Sequence, residues 1–277
     1  MRPFGWDTYY AKLPETALDF LDGPVICCLE KSHYKFLERL KDKDVVIVIH
    51  DTVEQKKEAI PYLKNWKVIA IRPKIRDYLK SEHGIESTYT YHPFYPYPIP
   101  TEFIGRQKTK AVSISRVDWD KHTEIIIEAN KTLLQHNKQI DIYGSINQIY
   151  NYHKLKGGLE PFYCGKVEKS FYQLSDILSK SKFVVDMSVI SKDGGGTQYT
   201  FLEAIYNECA LILHRKWLEG IEESDFKENY NCYAVSNEKE LADLIIEDPD
   251  VSTVVKNAKK LLWRHTEVKW RYILAIQ

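Results

Sequence analysis

The stretch HPFYPYPIPTEF, residues 92–103, places four prolines within eight residues. Proline fixes φ and lacks a backbone N–H, so this density excludes both a helix and a central strand. We expect an extended and fairly stiff connection. The stretch therefore predicts a boundary between two domains, residues 1–100 and residues 101–277.

Short apolar runs alternate with helical patterns on both sides of this connection. Runs rich in β-branched and aromatic residues predict four strands before it and six after it. The predicted strands are 24–29, 44–51, 67–72, 87–94, 110–115, 139–144, 161–165, 183–187, 210–214 and 232–236. This alternation is typical of parallel sheets covered on both faces. The predicted fold class is α/β, with two Rossmann-like domains facing a central cleft and a last helix that can pack back on the first domain.

Composition disfavours several classes of protein. The 39 Lys and Arg residues equal the 39 Asp and Glu residues in number, so the chain lacks the positive charge that nucleic-acid binding usually needs. No apolar run is long enough for a signal peptide or a membrane span. The five cysteines include no CxxC pair, which argues against a zinc site. We expect a soluble protein of the cytoplasm with reduced thiols.

A glycine-rich stretch, DGGGTQYTFLEA at 193–204, lies between the predicted strands 183–187 and 210–214. Parallel sheets bind ligands beyond the carboxyl ends of their strands. Glycines let a backbone approach a ligand closely, and the N–H groups that begin a helix favour an anion. The stretch predicts a site for a phosphorylated or hydroxyl-rich ligand, and a tight turn without a ligand is the alternative.

Two cations follow the strand predicted at 110–115, at the same edge of the sheet. Arg116 provides a planar fork and Lys121 a point charge, and a diphosphate needs such charges at close range. Taken alone, either residue could be an ordinary solvated side chain. Beside the glycine-rich stretch, Arg116 and Lys121 predict a phosphate clamp.

Four segments resemble, in order and spacing, the family 4 retaining glycosyltransferases, which have the GT-B fold. The first, SRVDWDKHTEIIIEAN at 115–130, is similar to the family's basic stretch and the apolar helix after it. The other segments are IDIYGS at 140–145, FYCGKVEKSFYQLSDIL at 162–178 and GGTQYTFLEAIYNECALIL at 195–213. The last is similar to the family's E-x7-E region.

The resemblance implies roles for residues of the second domain. Arg116 and Lys121 match the basic pair that holds the donor diphosphate. Glu203 matches the second glutamate of E-x7-E, which binds the ribose hydroxyls, and a carboxylate suits a vicinal diol because it accepts two hydrogen bonds. Gly144 and Val167 match donor-binding positions in the second and third segments.

The first glutamate of E-x7-E is absent, because Gly195 occupies its position. Asp193 could supply the missing carboxylate to the hydroxyls of the donor sugar. Backbone N–H groups of Gly195, Gly196 and Thr197 could instead contact the sugar alone.

In the first domain, IVIHDT at 47–52 resembles the family's strand followed by His-Asp. The resemblance implies that His50 hydrogen-bonds the donor sugar from across the cleft, whereas a structural histidine at a strand end is the alternative. FGWDTYYAKL at 4–13 stands where the family has a glycine loop on the acceptor side, with Gly5 as its key residue.

The implied activity is a retaining hexosyltransferase that moves a hexose, glucose in the first instance, from a UDP-sugar to a hydroxyl of a glycan, a glycoprotein or another small acceptor. No tightly bound cofactor is implied, and the sequence does not require a divalent cation, although Asp118-Trp119-Asp120 has a D-x-D pattern near the site. The compact size suits a viral or bacterial surface-glycan enzyme, which would act in the host cytoplasm if viral. Two alternatives stay open, a phage-type DNA glucosyltransferase with a basic groove and a catalytically silent protein that binds nucleotide sugar or glycan.

Overall fold

The computed structural model describes residues 25–28, 37–42, 44–50, 59–168, 170–189, 196–219 and 224–266. The chain divides into two compact units. The first unit includes the described residues up to Ile71 and Ile75–Thr90, and the second includes Arg72–Lys74 and the described residues from Tyr91 onward. Three of the site residues predicted from sequence, Gly5, Asp193 and Gly195, lie outside the described residues.

The first unit contains a four-stranded parallel sheet. Its strands are β1 (Val25–Cys28), β2 (Val45–Ile49), β3 (Lys67–Ala70) and β4 (Thr88–Tyr89), and they lie side by side in chain order. Its helices are α1 (Leu37–Leu40), α2 (Ile60–Leu63) and α3 (Pro73–His83). All five residues of β2 are buried, as expected of a central strand covered on both faces.

The strand predicted at 87–94 is much shorter in the structure. Only Thr88 and Tyr89 pair with β3, and the N–H of Thr90 makes one further bond to the oxygen of Ala70 at 3.0 Å. Pro93 follows and has no N–H to donate, so it cannot extend the ladder. Helix α3 ends directly before Gly84, which has a left-handed φ of +64°, the usual conformation after the end of a helix.

The second unit contains a six-stranded parallel sheet. Its strands are β5 (Lys110–Ile114), β6 (Ile140–Tyr143), β7 (Tyr163–Gly165), β8 (Ser181–Asp186), β9 (Ala210–His214) and β10 (Tyr233–Val235), in the order β10-β9-β8-β5-β6-β7. This is the doubly wound order, and the strand order reverses between β5 and β8. The predicted Rossmann-like sheet is confirmed for this unit.

The described residues of this unit form six α-helices. They are α4 (Thr123–Leu133), α5 (Gln148–Tyr150), α6 (Phe171–Ser179), α7 (Tyr199–Tyr206), α8 (Glu238–Glu247) and α9 (Ser252–Thr266). Successive strand residues face opposite sides, so Phe183 and Val185 belong to one buried apolar cluster and Val184 to another. Among the described helices, none is long and apolar enough to cross a membrane.

The proline-rich stretch belongs to the second unit and forms neither helix nor paired strand before a short turn at Thr101–Phe103. Its aromatic side chains pack on α7, where Phe94 and Tyr97 form a buried cluster with Leu202. The hydroxyl of Tyr206 also donates a hydrogen bond to the carbonyl oxygen of Tyr97. The prediction that the prolines exclude a helix and a central strand is therefore confirmed.

Candidate functional site

The loops at the carboxyl ends of β5 to β8 carry most of the predicted site. These ends share one edge of the sheet because the strands are parallel. Arg116 and Lys121 follow β5, Gly144 follows β6, and Val167, which is half-buried, follows β7. His50 directly follows β2, is half-buried and belongs to the first unit.

Hydrogen bonds join the loop after β5 to two neighbouring loops. The N–H of Asn147, after β6, donates to the oxygen of Val117 at 2.9 Å, and its side-chain amide donates to Asp118 Oδ1 at 2.9 Å. The N–H of Val189, after β8, donates to the oxygen of Asp120 at 3.1 Å. The segment between Arg116 and Lys121 is thus fixed by its neighbours.

Arg116 is exposed and contacts two carboxylates of its own loop. Its guanidinium donates to Asp118 Oδ2 and to Asp120 Oδ2, at 3.3 Å in each case. Exposed ion pairs of this kind are worth at most about 1 kcal/mol, so a phosphate can replace them. The same contacts occupy both carboxylates of the D-x-D pattern. The described residues contain no group of three side chains suited to hold a metal ion.

Lys121 is buried, with 7% of its surface exposed. Its ammonium donates to Ser188 Oγ at 2.7 Å and to Gln198 Oε1 at 3.0 Å. Asp186 Oδ2 lies 3.9 Å from the same nitrogen. Sequence reasoning missed these three partners, and the only available indication was that Asp186 and Ser188 stand at the carboxyl end of a predicted strand.

Glu203 lies in the second turn of α7 and is half-buried. Burial raises the pKa of its carboxyl group to about 7, because a low-dielectric environment disfavours the charged form. The part of the chain that the structure describes provides no hydrogen-bond or ion-pair partner for this carboxylate. Glu203 is therefore available to accept hydrogen bonds from ligand hydroxyls.

Gly196 is buried where the described chain resumes before α7. Its carbonyl oxygen accepts a hydrogen bond from Trp217 Nε1 at 3.0 Å. A Cβ atom on Gly196 would lie 2.2 Å from Cγ of Arg72, and the guanidinium carbon of Arg72 lies 5.2 Å from the centroid of the Trp217 ring. From the sequence, we expected the glycine at position 196 to make room for a ligand. In the structure, the side chain of Arg72 occupies the space beside Gly196.

Thr197 is buried, and its Oγ1 lies 3.3 Å from His265 Nε2. The other ring nitrogen of His265, Nδ1, lies 2.6 Å from the carbonyl oxygen of His92. A carbonyl can only accept, so Nδ1 carries the proton and Nε2 of the neutral ring accepts from Thr197. Burial lowers the pKa of His265 to about 4, outweighing the bond to His92, and keeps the ring neutral. The hydroxyl of Thr197 is thus hydrogen-bonded to a residue of α9. The backbone N–H of Thr197 is the group that this residue can offer a ligand.

Gly144 has a φ of +149° and a very close neighbour. A Cβ atom on it would lie 1.7 Å from the backbone oxygen of Ser115. Its N–H donates to the oxygen of Gly165 at 3.0 Å. Glycine is therefore required here by the approach of the loops after β5, β6 and β7, whether or not a ligand is present.

The fold is that of GT-B glycosyltransferases, as comparison with solved structures shows. HepE of Anabaena in complex with UDP matches 94% of this chain and 78% of its own, with a TM-score of 0.69 and 15% identity. A glycosyltransferase from Rickettsia africae matches 94% of this chain and 77% of its own, with a TM-score of 0.65 and 13% identity.

TarM of S. aureus also shares the fold. The likeness covers 91% of this chain and 54% of TarM, with a TM-score of 0.64 and 19% identity. No protein-family model matches the chain, and no curated protein sequence matches it. At sequence identities this low, the likeness to these solved structures shows a shared fold alone.

Proposed function

We propose that this protein is a glycosyltransferase that takes a hexose, glucose in the first instance, from a UDP-sugar and transfers it with retention to a hydroxyl of a glycan or another small acceptor. One observation carries the proposal: Lys121 donates to Gln198, the residue before α7, while α7 carries Glu203, whose carboxylate has no hydrogen-bond or ion-pair partner among the described residues. A cation and a hydrogen-bond acceptor at one helix suit a nucleoside diphosphate, which has an anionic diphosphate and a ribose diol.

The solved structures of the same fold support this choice of donor. HepE has been crystallised with UDP and with UDP-glucose. A mutant of TarM has been crystallised with fondaparinux, α-GlcNAc-glycerol and UDP. A UDP-sugar is therefore the first donor to test, and family 4 is the glycosyltransferase family to which we assign the chain.

The reaction we propose requires no protein nucleophile. The bond between the anomeric carbon and the diphosphate oxygen breaks, the acceptor oxygen bonds to the same face of that carbon, and the acceptor proton passes to the departing phosphate oxygen. Negative charge grows on the diphosphate as the bond breaks. Lys121 and Arg116 would stabilise this charge, as preorganised donors do in an oxyanion hole.

The remaining sites complete the proposal. Either Asp193 or the backbone N–H groups of Gly195, Gly196 and Thr197 alone would contact the donor sugar, and Gly144 and Val167 would border the nucleotide. His50 would donate to the sugar and Gly5 would face the acceptor. We assign these residues to an acceptor domain at 1–100 and a donor domain at 101–277, in a protein of the cytoplasm.

The first experiment is a thermal-shift panel of UDP, GDP, ADP, UDP-glucose, UDP-galactose and GDP-mannose. A ligand at 100 times its Kd adds about 2.7 kcal/mol to the free energy of unfolding, which is readily detected. A UDP-release assay then follows with the donor that stabilises, and NMR of the product determines the anomeric configuration.

Stabilisation by UDP and a UDP-sugar, together with UDP release in the presence of an acceptor, would support the proposal. Stabilisation without turnover would indicate a binding protein instead. If no nucleotide stabilises the protein, the assignment of Arg116, Lys121 and Glu203 to a donor site is wrong.

A further inference from the structure

Lys121 forms a buried ion pair with Asp186, the last residue of β8. The distance from Nζ to Oδ2 is 3.9 Å, and the two side chains are 8% and 4% exposed. The pair joins the loop after β5 to the carboxyl end of β8, and these are the neighbouring strands between which the sheet reverses its order. Lys121, which we assign to the phosphate clamp, thus already has a negatively charged partner in Asp186.

The hydrogen bonds of Lys121 do not require this carboxylate. Ser188 Oγ and Gln198 Oε1 already accept from the ammonium, at 2.7 Å and 3.0 Å. Asp186 Oδ1 accepts from the N–H of Ser188 at 2.9 Å. Asp186 Oδ2 is a buried acceptor without a hydrogen-bond donor in the described part of the chain. A buried charge of this kind is unfavourable unless an opposite charge lies near it, and Lys121 provides that charge.

The charges around the proposed diphosphate site do not add up to a cationic clamp. Arg116 and Lys121 bring two positive charges. Their partners Asp118, Asp120 and Asp186 bring three negative charges. A diphosphate entering this site must compete with these carboxylates. The two beside Arg116 are partly exposed, so the buried Asp186 is the partner that solvent screens least.

We propose that Asp186 is a positioning residue that sets how tightly Lys121 holds a diphosphate. It anchors the ammonium between β5 and β8 and opposes the charge of the phosphates, so that a nucleoside diphosphate dissociates readily after transfer. This inference rests on the proposed function, because it takes Lys121 as the residue that contacts the diphosphate.

The test compares the binding of UDP and of uridine by calorimetry at one salt concentration, in the full chain and in its Asp186→Asn variant. Asparagine has nearly the same shape and retains an oxygen for the N–H of Ser188. Removing a buried negative charge that lies 3.9 Å from the ammonium of Lys121 should tighten UDP binding by about tenfold, and stopped-flow should show the gain as slower UDP dissociation. Uridine binding should not change, because uridine has no phosphate.

Asp141→Asn is the matched control. Asp141 is also buried, with 7% of its surface exposed, and its Oδ2 lies 3.6 Å from Lys110 Nζ. It stands in the first half of β6, away from the carboxyl ends that carry the site. This variant makes the same change in net charge and should leave the affinity for UDP unaltered.

Gln198→Glu tests the inference in the opposite direction and with Asp186 in place, in case Asp186→Asn does not fold. It puts a carboxylate within hydrogen-bond distance of Lys121 in addition to Asp186 at 3.9 Å, so UDP binding should weaken by about tenfold while uridine binding is unchanged.

The inference is overturned if Asp186→Asn leaves UDP affinity unchanged or weakens it, if Gln198→Glu does not weaken it, or if Asp141→Asn changes it as much as Asp186→Asn does. Failure of the unaltered protein to bind UDP would instead overturn the proposed function. The two failures are therefore distinguishable.

Discussion

Trp217 donates a hydrogen bond from Nε1 to the backbone oxygen of Gly196 at 3.0 Å. Trp217 is fully buried in the turn that follows β9, and Gly196 stands three residues before α7. This buried hydrogen bond therefore fixes the backbone that leads into α7. It places Gly196 directly against the side chain of Arg72, which leaves no room for a larger residue.

Gly196→Ala should lower the free energy of unfolding by about 1–3 kcal/mol, the usual cost of overpacking a buried site. Its new Cβ atom would lie 2.2 Å from Cγ and 2.9 Å from Cδ of Arg72. Urea denaturation of the single variants and of the double variant with Arg72→Ala is the measurement. The cost of Gly196→Ala should be smaller beside Arg72→Ala, which removes Cγ and Cδ but keeps the Cβ atom of Arg72, 2.8 Å from the new atom. An equal cost in both backgrounds would show that Cγ and Cδ of Arg72 are not the obstacle.

His265 should make the protein sensitive to acid. Burial lowers its pKa from 6.5 to about 4 in the folded chain, so the unfolded chain binds the proton first as the pH falls. The free energy of unfolding should therefore decrease between pH 6.5 and pH 4, by about 2–3 kcal/mol from this group. His265→Gln should be less stable at pH 7 but should lose less stability over that interval. Parallel pH curves for the two proteins would contradict the assignment.

Glu203 should have the opposite dependence of stability on pH. Its folded-state pKa of about 7 lies above the ordinary 4.5, so the folded chain keeps the proton that the unfolded chain has lost. Between pH 4.5 and pH 7 the free energy of unfolding should fall by about 1–3 kcal/mol from this group. Glu203→Gln should remove that fall, as measured by urea denaturation at pH 5 and pH 8.

The same ionisation should control nucleotide binding. Only the carboxylate form accepts a hydrogen bond from each ribose hydroxyl on both of its oxygens. The affinity for UDP should therefore increase as the pH rises through 7, over and above any change caused by the phosphates. Deoxyuridine diphosphate, which lacks the 2′-hydroxyl, is the matched ligand, and its affinity should depend less on Glu203. Equal pH profiles for the two ligands would argue against ribose binding by Glu203.

Lys121→Ala and Arg116→Ala should each reduce kcat by about 10² to 10³, the range for losing one donor to a developing anion. Their effects on stability should differ. Lys121→Ala leaves the buried Asp186 unpaired, which should cost about 3–5 kcal/mol, whereas Arg116→Ala breaks exposed pairs worth at most about 1 kcal/mol. The measurements are kcat and the free energy of unfolding by urea, for both variants. Near-normal turnover in either variant would remove that residue from the clamp.

Strand prediction succeeded where the chain is apolar without interruption. The run ALILH was predicted as a strand at 210–214, and β9 has those bounds because it is buried throughout. The run at 87–94 contains equally good strand formers, but only Thr88 and Tyr89 find a partner in β3. Propensity describes which residues fit a strand, while pairing also depends on a neighbour that the local sequence does not contain.

Local periodicity was sufficient to establish the α/β class, the two runs of alternating strand and helix, the loop that carries Arg116 and Lys121, and the helix that carries Glu203. Each of these depends on residues close together in the chain. The packed structure alone decided that Lys121 is buried, since its hydrogen-bond partners Ser188 and Gln198 lie 67 and 77 residues away. It likewise decided that Thr197 bonds to His265, 68 residues away. Burial and charge pairing arise from contacts between distant segments, so they appear only when the chain is folded.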